Sequence, residues 1–296
     1  MRPNGIAWRR LKERIAVGLC VLALALALLP LAHIAYTAIS IGGQKLNWSF
    51  FSQPSVGSPY RGTEGGVLNG IAGTALLLFL GSLLSIPFGV VSGMFLADFG
   101  NGRAGAVVRT IADTLLGVPS VIWGLFGFQF IANTVSSFGL HWNTSALSGG
   151  LILGLIMSPI IARVTEIALR DVPNGFREAS LALGATRWYT TRRLALVVAR
   201  PAIGTGVLLA LTNALGQTVA LLFTNGYVPN LPHWPIVGQG NSVTDLGTMI
   251  YVYINQPTPL LQPPAEAAVI VLIALVLVLS ILARSLSALG GRSHAS

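Results

Sequence analysis

Charge is scarce in this sequence. Only 9% of the residues are charged, while 53% are hydrophobic, a balance that excludes an ordinary soluble domain of 296 residues. Lysine is scarcer still. The two lysines are Lys12, which precedes Glu13, and Lys45, which precedes Leu46. Neither can complete a G-x-x-x-x-G-K-[ST] phosphate loop, so the chain cannot hydrolyse ATP by that machinery. The single cysteine, Cys20, lies inside an apolar block and excludes an intramolecular disulfide. The four histidines (His33, His141, His233 and His294) are scattered. There is no H-E-x-x-H, cysteine cluster or grouped carboxylate set, which leaves a membrane enzyme without a catalytic constellation.

What the chain does have is long apolar blocks, at about 15–41, 68–97, 107–132, 146–169, 201–223 and 265–286. A helix needs roughly 20 apolar residues to cross the hydrocarbon core, and these runs are far too long for barrel strands. The expectation is an all-α polytopic bundle of six transmembrane helices. The first block follows WRRLKER at 8–14, which resembles the basic flank of a secretion signal. The apolar stretch behind it outruns the ~7–15 residues of such a signal, so an uncleaved anchoring helix is expected.

The net charge of +9 follows the membrane rather than a nucleic acid. Sixteen basic residues fall at the N-terminus, the second-to-third connection, the fourth-to-fifth connection and the C-terminus; only Lys45 and Arg61 fall on the other side. The positive-inside rule then places both termini (1–14 and 287–296) in the cytoplasm and the 42–67 and 224–264 connections outside. The 224–264 connection is long enough to hold structure of its own. Its Tyr227, Trp234, Tyr251 and Tyr253 suit the lipid interface or an external partner. Small residues at helical spacing, such as Gly66, Gly70 and Thr74 or Gly89 and Gly93, predict close helix packing. Pro87, Pro119, Pro159 and Pro201 are expected to kink or start helices, with GVPS at 117–120 and MSP at 157–159 as passive bends or hinges.

The fourth-to-fifth connection, about 170–200, is the most informative stretch: RDVPNGFREASLALGATRWY at 170–189. Pro173 breaks the preceding helix and Asn174 can cap a new one. Residues 176–183 read as a short amphipathic helix, with Glu178 favouring its N-terminal end and Ala179, Ser180 and Ala182 keeping one surface thin. Gly184 can take a positive φ and turn the chain sharply. A second short helix starts at Arg187 and leads into the fifth block, read as beginning near Pro201. A short, thin helix at the membrane face suits a groove in a partner protein, or else simply covers the base of the bundle.

Glu178-Ala179-Ser180 with Gly184 resembles the Glu-Ala-Ala…Gly coupling motif of ABC-importer permeases, Ser180 being a departure, and Ala185 follows the turn. The resemblance extends to phosphate permeases of the PstA type through GGVLNGIAGT at 65–74, RTIADTLLGVPS at 109–120 continuing into GLF at 124–126, RVTEIALRDVP at 163–173, PAIGTGVLL at 201–209 and NQP at 255–257. These cover about 65–284. The coupling motif alone marks the superfamily; the ordered set marks the phosphate branch. The resemblance implies a MetI-like core of five helices at 68–286 with one added N-terminal helix. It also implies a second related permease, two cytoplasmic ATPase subunits and an external phosphate-binding protein. ATP and magnesium would sit on the ATPase subunits, and no cofactor on this chain.

Two departures stand out. The family's Ile-x-Leu-Pro after the coupling Gly is replaced by Leu196-Val197 with a later Pro201. Its Gly-Glu-Thr-Ala-Pro-Leu-Leu-Phe becomes GQTVALLF at 216–223, so Gln217 stands for a glutamate and Ala220 for a proline. An amide keeps hydrogen bonding but neither titrates nor repels an anion. Candidate translocation-path residues are Arg163, Glu166, Gln217 and Thr218. A permease for molybdate or sulfate is the alternative within the class. An ATP-independent channel or secondary transporter would instead carry charged relays in several spans, whereas here only Asp113 and Glu166 lie near the membrane.

Overall fold

The computed structural model describes residues 4–55, 65–134, 144–233 and 241–292, and every regular element among them is helical. Five helical stretches are long and apolar enough to cross a membrane, and a bent pair supplies a sixth apolar unit. Apolar side chains on nearly every face make these helices stable in lipid, where backbone groups must bond within the helix.

The first helix, α1 (Asn4–Thr37), has no buried residue in its most apolar window and stands clear of the rest, so its leucines face lipid. It ends in a π turn, Ala38–Gly42, packed on the last helix. A short helix α2 (Trp48–Ser52) follows, capped by Asn47, whose side chain accepts from the Phe50 amide at 2.8 Å. The centre of the fold is α3 (Leu68–Asp98) packed along α6 (Ala146–Arg170), the most extensive helix pair. The expected small-residue stripe is what brings them together. A Cβ on Gly89 would sit 2.7 Å from Ile161 Cβ, and one on Gly93 2.7 Å from the Ala162 carbonyl. Only bare backbone fits, and in lipid this close packing replaces the hydrophobic effect as the source of association. Gly66 and Gly70 likewise face neighbouring chain closely, against Gln53 and Leu246.

Two of the expected spans are corrected. Residues 107–132 are not one rod: α4 (Arg103–Leu116) and α5 (Ser120–Phe126), with the π turn Gly127–Thr134, meet at 102°. Pro119 has no amide hydrogen to continue α4, and takes φ −59°, ψ 142° at the N-cap of α5. The fifth block also shifts. After α7 (Asn174–Ala182), the chain is helical from α8 (Arg187–Tyr189) through a π turn, Thr190–Ala195, into α9 (Leu196–Leu215), with Pro201 inside α9 rather than at its start. Gly216 and Gln217 then break the helix, and α10 (Thr218–Thr224) begins.

The long 224–264 connection does hold structure. Its helix α11 (Leu246–Ile254) is capped by Asp245 and buries Leu246, Met249 and Tyr253 against Val67, Ala265, Ala267 and Ala268. Tyr227 and Tyr253 pack edge to face, ring centroids 5.9 Å apart, instead of lying in an interface belt; Tyr251 is exposed, and Trp234 lies outside the described residues. The last helix, α12 (Gln262–Arg292), closes the bundle against α9.

Candidate coupling end and translocation residues

At the arginine-rich end of the bundle, α6 stops at Arg170 and Pro173 occupies the N-cap of α7 with extended backbone. Asn174, expected as the cap, is instead the first helical residue. Proline before it already stops the preceding helix and presets the turn, so no side-chain cap forms. The far end of α7 is a Schellman turn. The Ala185 amide donates to Ser180 O at 3.2 Å and the Gly184 amide to Leu181 O at 2.9 Å, with Gly184 at φ +82°. A Cβ on Gly184 would meet nothing within 4 Å. The glycine is therefore required by the left-handed backbone and not by space. Thr186 caps α8, accepting from the Tyr189 amide at 3.2 Å.

None of the side chains of α7 is buried. Glu178 and Ala179 are exposed, Ala185 is half-buried, and Phe176, Leu181, Leu183, Trp188 and Tyr189 stand out around them, Leu183 90% exposed. An open cavity of about 480 Å³ lies under the turn, lined by Ser180, Leu183, Gly184, Ala185, Thr186 and Tyr189. Ser180, the departure from the Glu-Ala-Ala pattern, faces inward: its hydroxyl lies 2.9 Å from that of Thr190. The change from alanine thus adds a tie between α7 and the segment leading into α9.

Beside this loop lies an ionic network. Glu166, 2% exposed, accepts from Arg109 of α4 at 2.8 and 3.2 Å and pairs with Arg163 at 3.1 Å and Arg170 at 2.8 Å, both from its own helix. One carboxylate among three guanidiniums leaves the cluster cationic, and the arginines are 29–49% exposed. The helix geometry explains the local part: i−3 and i+4 neighbours share a face. Arg109 comes from α4, which packs against α6. Arg170 also donates to Leu96 O at 3.2 Å.

Asp98, at the last turn of α3, was not legible in the sequence as a functional residue. It accepts from Arg177 of α7 at 2.5 Å and from the Thr191 hydroxyl. The Arg177 guanidinium also donates to Leu169 O at 2.7 Å. An acidic residue ending one span and an arginine in a later cytoplasm-type loop were visible, but 79 residues separate them. Only the fold pairs them.

Gln217 and Thr218 lie at the α9–α10 break and share no hydrogen bond or ion pair with Arg163 or Glu166. The half-buried Gln217 donates through Nε2 to Asn213 Oδ1 at 3.2 Å. The Thr218 hydroxyl sits against the bare Cα of Gly247 in α11. Among the described residues, no cluster of three or more His, Cys, Asp or Glu side chains could hold a metal.

Residues 85–289 match the family model described as binding-protein-dependent transport system inner membrane component. This chain belongs to that family. Among the relatives of this transport component is the phosphate transport system permease protein PstA of Haemophilus influenzae, 32% identical over 84% of both chains. Another is the phosphate transport system permease protein PstA 2 of Mycobacterium bovis, 31% identical over 98% of this chain and 92% of that one. A solved inward-facing structure of the MetNI methionine ABC transporter superposes with a TM-score of 0.56, at 21% identity, over 75% of this chain and 94% of that chain. It supports the MetI-like fold. The transport component is a multi-pass inner-membrane protein.

Proposed function

We propose that this chain is the permease subunit of an ATP-driven importer of inorganic phosphate. The PstA relatives named above match over 84% and 92% of their own lengths, and the motifs that resemble that branch run from 65 to 257. The observation that carries the coupling role is α7 itself: a helix with no buried side chain, closed by a Schellman turn at Gly184, surrounded by exposed aromatic and aliphatic groups at the arginine-rich end. Such an exposed face is the kind that a partner covers. The partner is a cytoplasmic ATPase subunit. Two of these, a second related permease and an external phosphate-binding protein complete the importer, with ATP and magnesium on the ATPase subunits. Glu178, Ala179, Ser180, Gly184 and Ala185 form the coupling element.

The arginine bias puts both termini and α7 in the cytoplasm, with the first helix at about 15–41 joined to a permease core at 68–286. Arg163 and Glu166 would serve the cytoplasmic end of the path, where the surplus positive charge favours an anion. Gln217 and Thr218 would line it at the α9–α10 break.

The test is uptake of radiolabelled phosphate with co-purification of the ATPase subunits. Gly184→Arg and Glu178→Lys should insert normally yet lose ATPase association or uptake. Normal assembly and uptake in both would remove the loop from this role. Competition by molybdate or sulfate as strong as by unlabelled phosphate would move the substrate to another oxyanion. Reporter fusions after Gly290 and within 242–245 should report opposite sides of the membrane.

A further inference from the structure

The coupling helix is almost detached from the bundle it must move. With no buried side chain on α7, apolar packing gives it little grip, and its mechanical connections are its two covalent ends and a few polar ties. The strongest of these converge on one pair. Arg177 reaches from α7 to Asp98 Oδ1 at 2.5 Å and to Leu169 O at 2.7 Å, so a single guanidinium grips the last turns of both α3 and α6. The other oxygen of Asp98 accepts from Thr191, at the foot of α9. The pair is largely shielded, with side-chain exposures of 19% for Arg177 and 11% for Asp98, where a charge-assisted bond is held in one geometry. A cavity of about 220 Å³ beside it, lined by Ala97, Leu181, Arg187 and Thr190 among others, leaves α7 room to tilt about this anchor.

From this juxtaposition, and resting on the importer reading above, we propose that Asp98 and Arg177 are positioning residues that relay displacement of α7 into α3, α6 and α9. Because α3 and α6 are locked by bare-backbone contacts at Gly89 and Gly93, a pull on either end moves both helices as one body. Thr191 recruits α9 through the same carboxylate. The relay carries force, not substrate: Asp98 touches no phosphate and its effect is on the ratio of transport to hydrolysis.

The experiment uses the whole complex in proteoliposomes with the external binding protein, measuring phosphate imported per ATP hydrolysed. Asp98→Ala and Arg177→Ala should each assemble with the ATPase subunits yet import roughly ten- to a hundredfold less phosphate per ATP, the scale of losing one charge-assisted hydrogen bond. The double variant should lose less than the product of the two single losses, because both remove the shared Arg177–Asp98 tie while each also removes one bond of its own, to Leu169 O or from Thr191. Thr191→Val, which keeps the volume and loses only the hydroxyl, should show a smaller loss of the same kind. Assembled variants with the parental ratio would overturn the relay. Variants that no longer hold the ATPase subunits would overturn it too, by assigning the pair to docking. If the parent complex moves no phosphate, the importer reading falls and takes the relay with it; if the parent is coupled, only the relay is at stake.

Discussion

The two ends of this bundle are held by different chemistry. At the arginine-rich end, Glu166 and Asp98 gather Arg109, Arg163, Arg170 and Arg177 into charge-assisted bonds. Around Asn69 at the opposite end the ties are neutral. Asn69, fully buried, accepts from the Ser55 amide at 3.1 Å and donates to Val228 O at 3.2 Å. Thr244 donates to Val228 O at 2.7 Å, Thr74 accepts from the Leu246 amide at 2.9 Å, and Ser55, Tyr227 and Tyr253 chain their hydroxyls. Neutral bonds fix a loop against the core without long-range fields. Ionic ones hold exposed elements that must be attracted from a distance and can be re-paired. The end that we propose to meet the ATPase is thus the electrostatic one, and the end proposed to face the binding protein is the rigid hydrogen-bonded one.

The sharpest way to break this contrast is at Glu166. Glu166→Ala leaves three arginines without their shared anion, and the loss should reach about 3 kcal/mol, in the range for breaking a buried ion pair. Thermal unfolding of the detergent-solubilised protein would show it, with a further drop at low ionic strength, where repulsion between the arginines is least screened. A variant as stable as the parent at every salt concentration would mean the network is ornamental.

At the neutral end, Asn69→Leu strands the Ser55 amide and removes one of the two donors to Val228 O, leaving Thr244, at about 1–3 kcal/mol. This loss should not change with salt. A salt-dependent effect there would erase the distinction between the two ends.

Acidic groups also sit outside the arginine-rich end, Asp245 among them. Asp245 caps α11, accepting from the Thr248 amide at 3.1 Å, while its Oδ1 has no partner. Burial pushes its carboxyl above the usual carboxylate range, partly offset by hydrogen bonds from Thr248 and Gly247. The folded chain then holds a proton that the unfolded chain releases, so this contribution to stability is present below the ordinary carboxylate pKa and is lost as pH rises through the raised one. Asp245→Asn keeps the cap and removes the titration. It should gain stability relative to the parent as pH rises over that window, whereas Asp245→Ala should lose about 1 kcal/mol by losing the cap. Parallel pH profiles for the parent and the asparagine variant would contradict the assignment.

The smallest effect is expected at Gln217, between the two regimes. Gln217→Leu loses its bond to Asn213 and should lower uptake severalfold with stability within about 0.5 kcal/mol of the parent. Gln217→Glu should transport with a new pH-dependence. Uptake by the leucine variant equal to the parent's would make the departure from the family's glutamate neutral.

The helical class, the apolar spans, the Glu178-Ala179-Ser180 motif and its glycine turn were written locally. Hydropathy over 20 residues needs no tertiary partner, and Gly184 satisfies a backbone condition that belongs to its own turn. The small-residue stripe was equally legible, since a fourfold spacing of bare Cα atoms has one use in lipid. Other features were not. A run of apolar residues from 107 to 132 cannot say whether its proline kinks a rod or folds it by 102°, because either leaves the hydropathy unchanged. Asn174 lost the cap to Pro173 for a reason visible only in the traced backbone. Tyr227 and Tyr253 turned inward because α11 brings their hydroxyls within 3.3 Å of each other, a contact between residues 26 apart.

The sequence by itself determined that this chain is a helical membrane protein without an ATP phosphate loop, carrying a glycine turn at Gly184; each of those facts rests on neighbours within a few turns of helix. The tertiary structure alone decided which charges meet. Glu166 takes Arg109 from 57 residues away and Asp98 takes Arg177 from 79, and no periodicity encodes a pairing across two spans. Those partners are chosen when α3 and α6 lock at their glycines and bring the ends of distant helices to one plane.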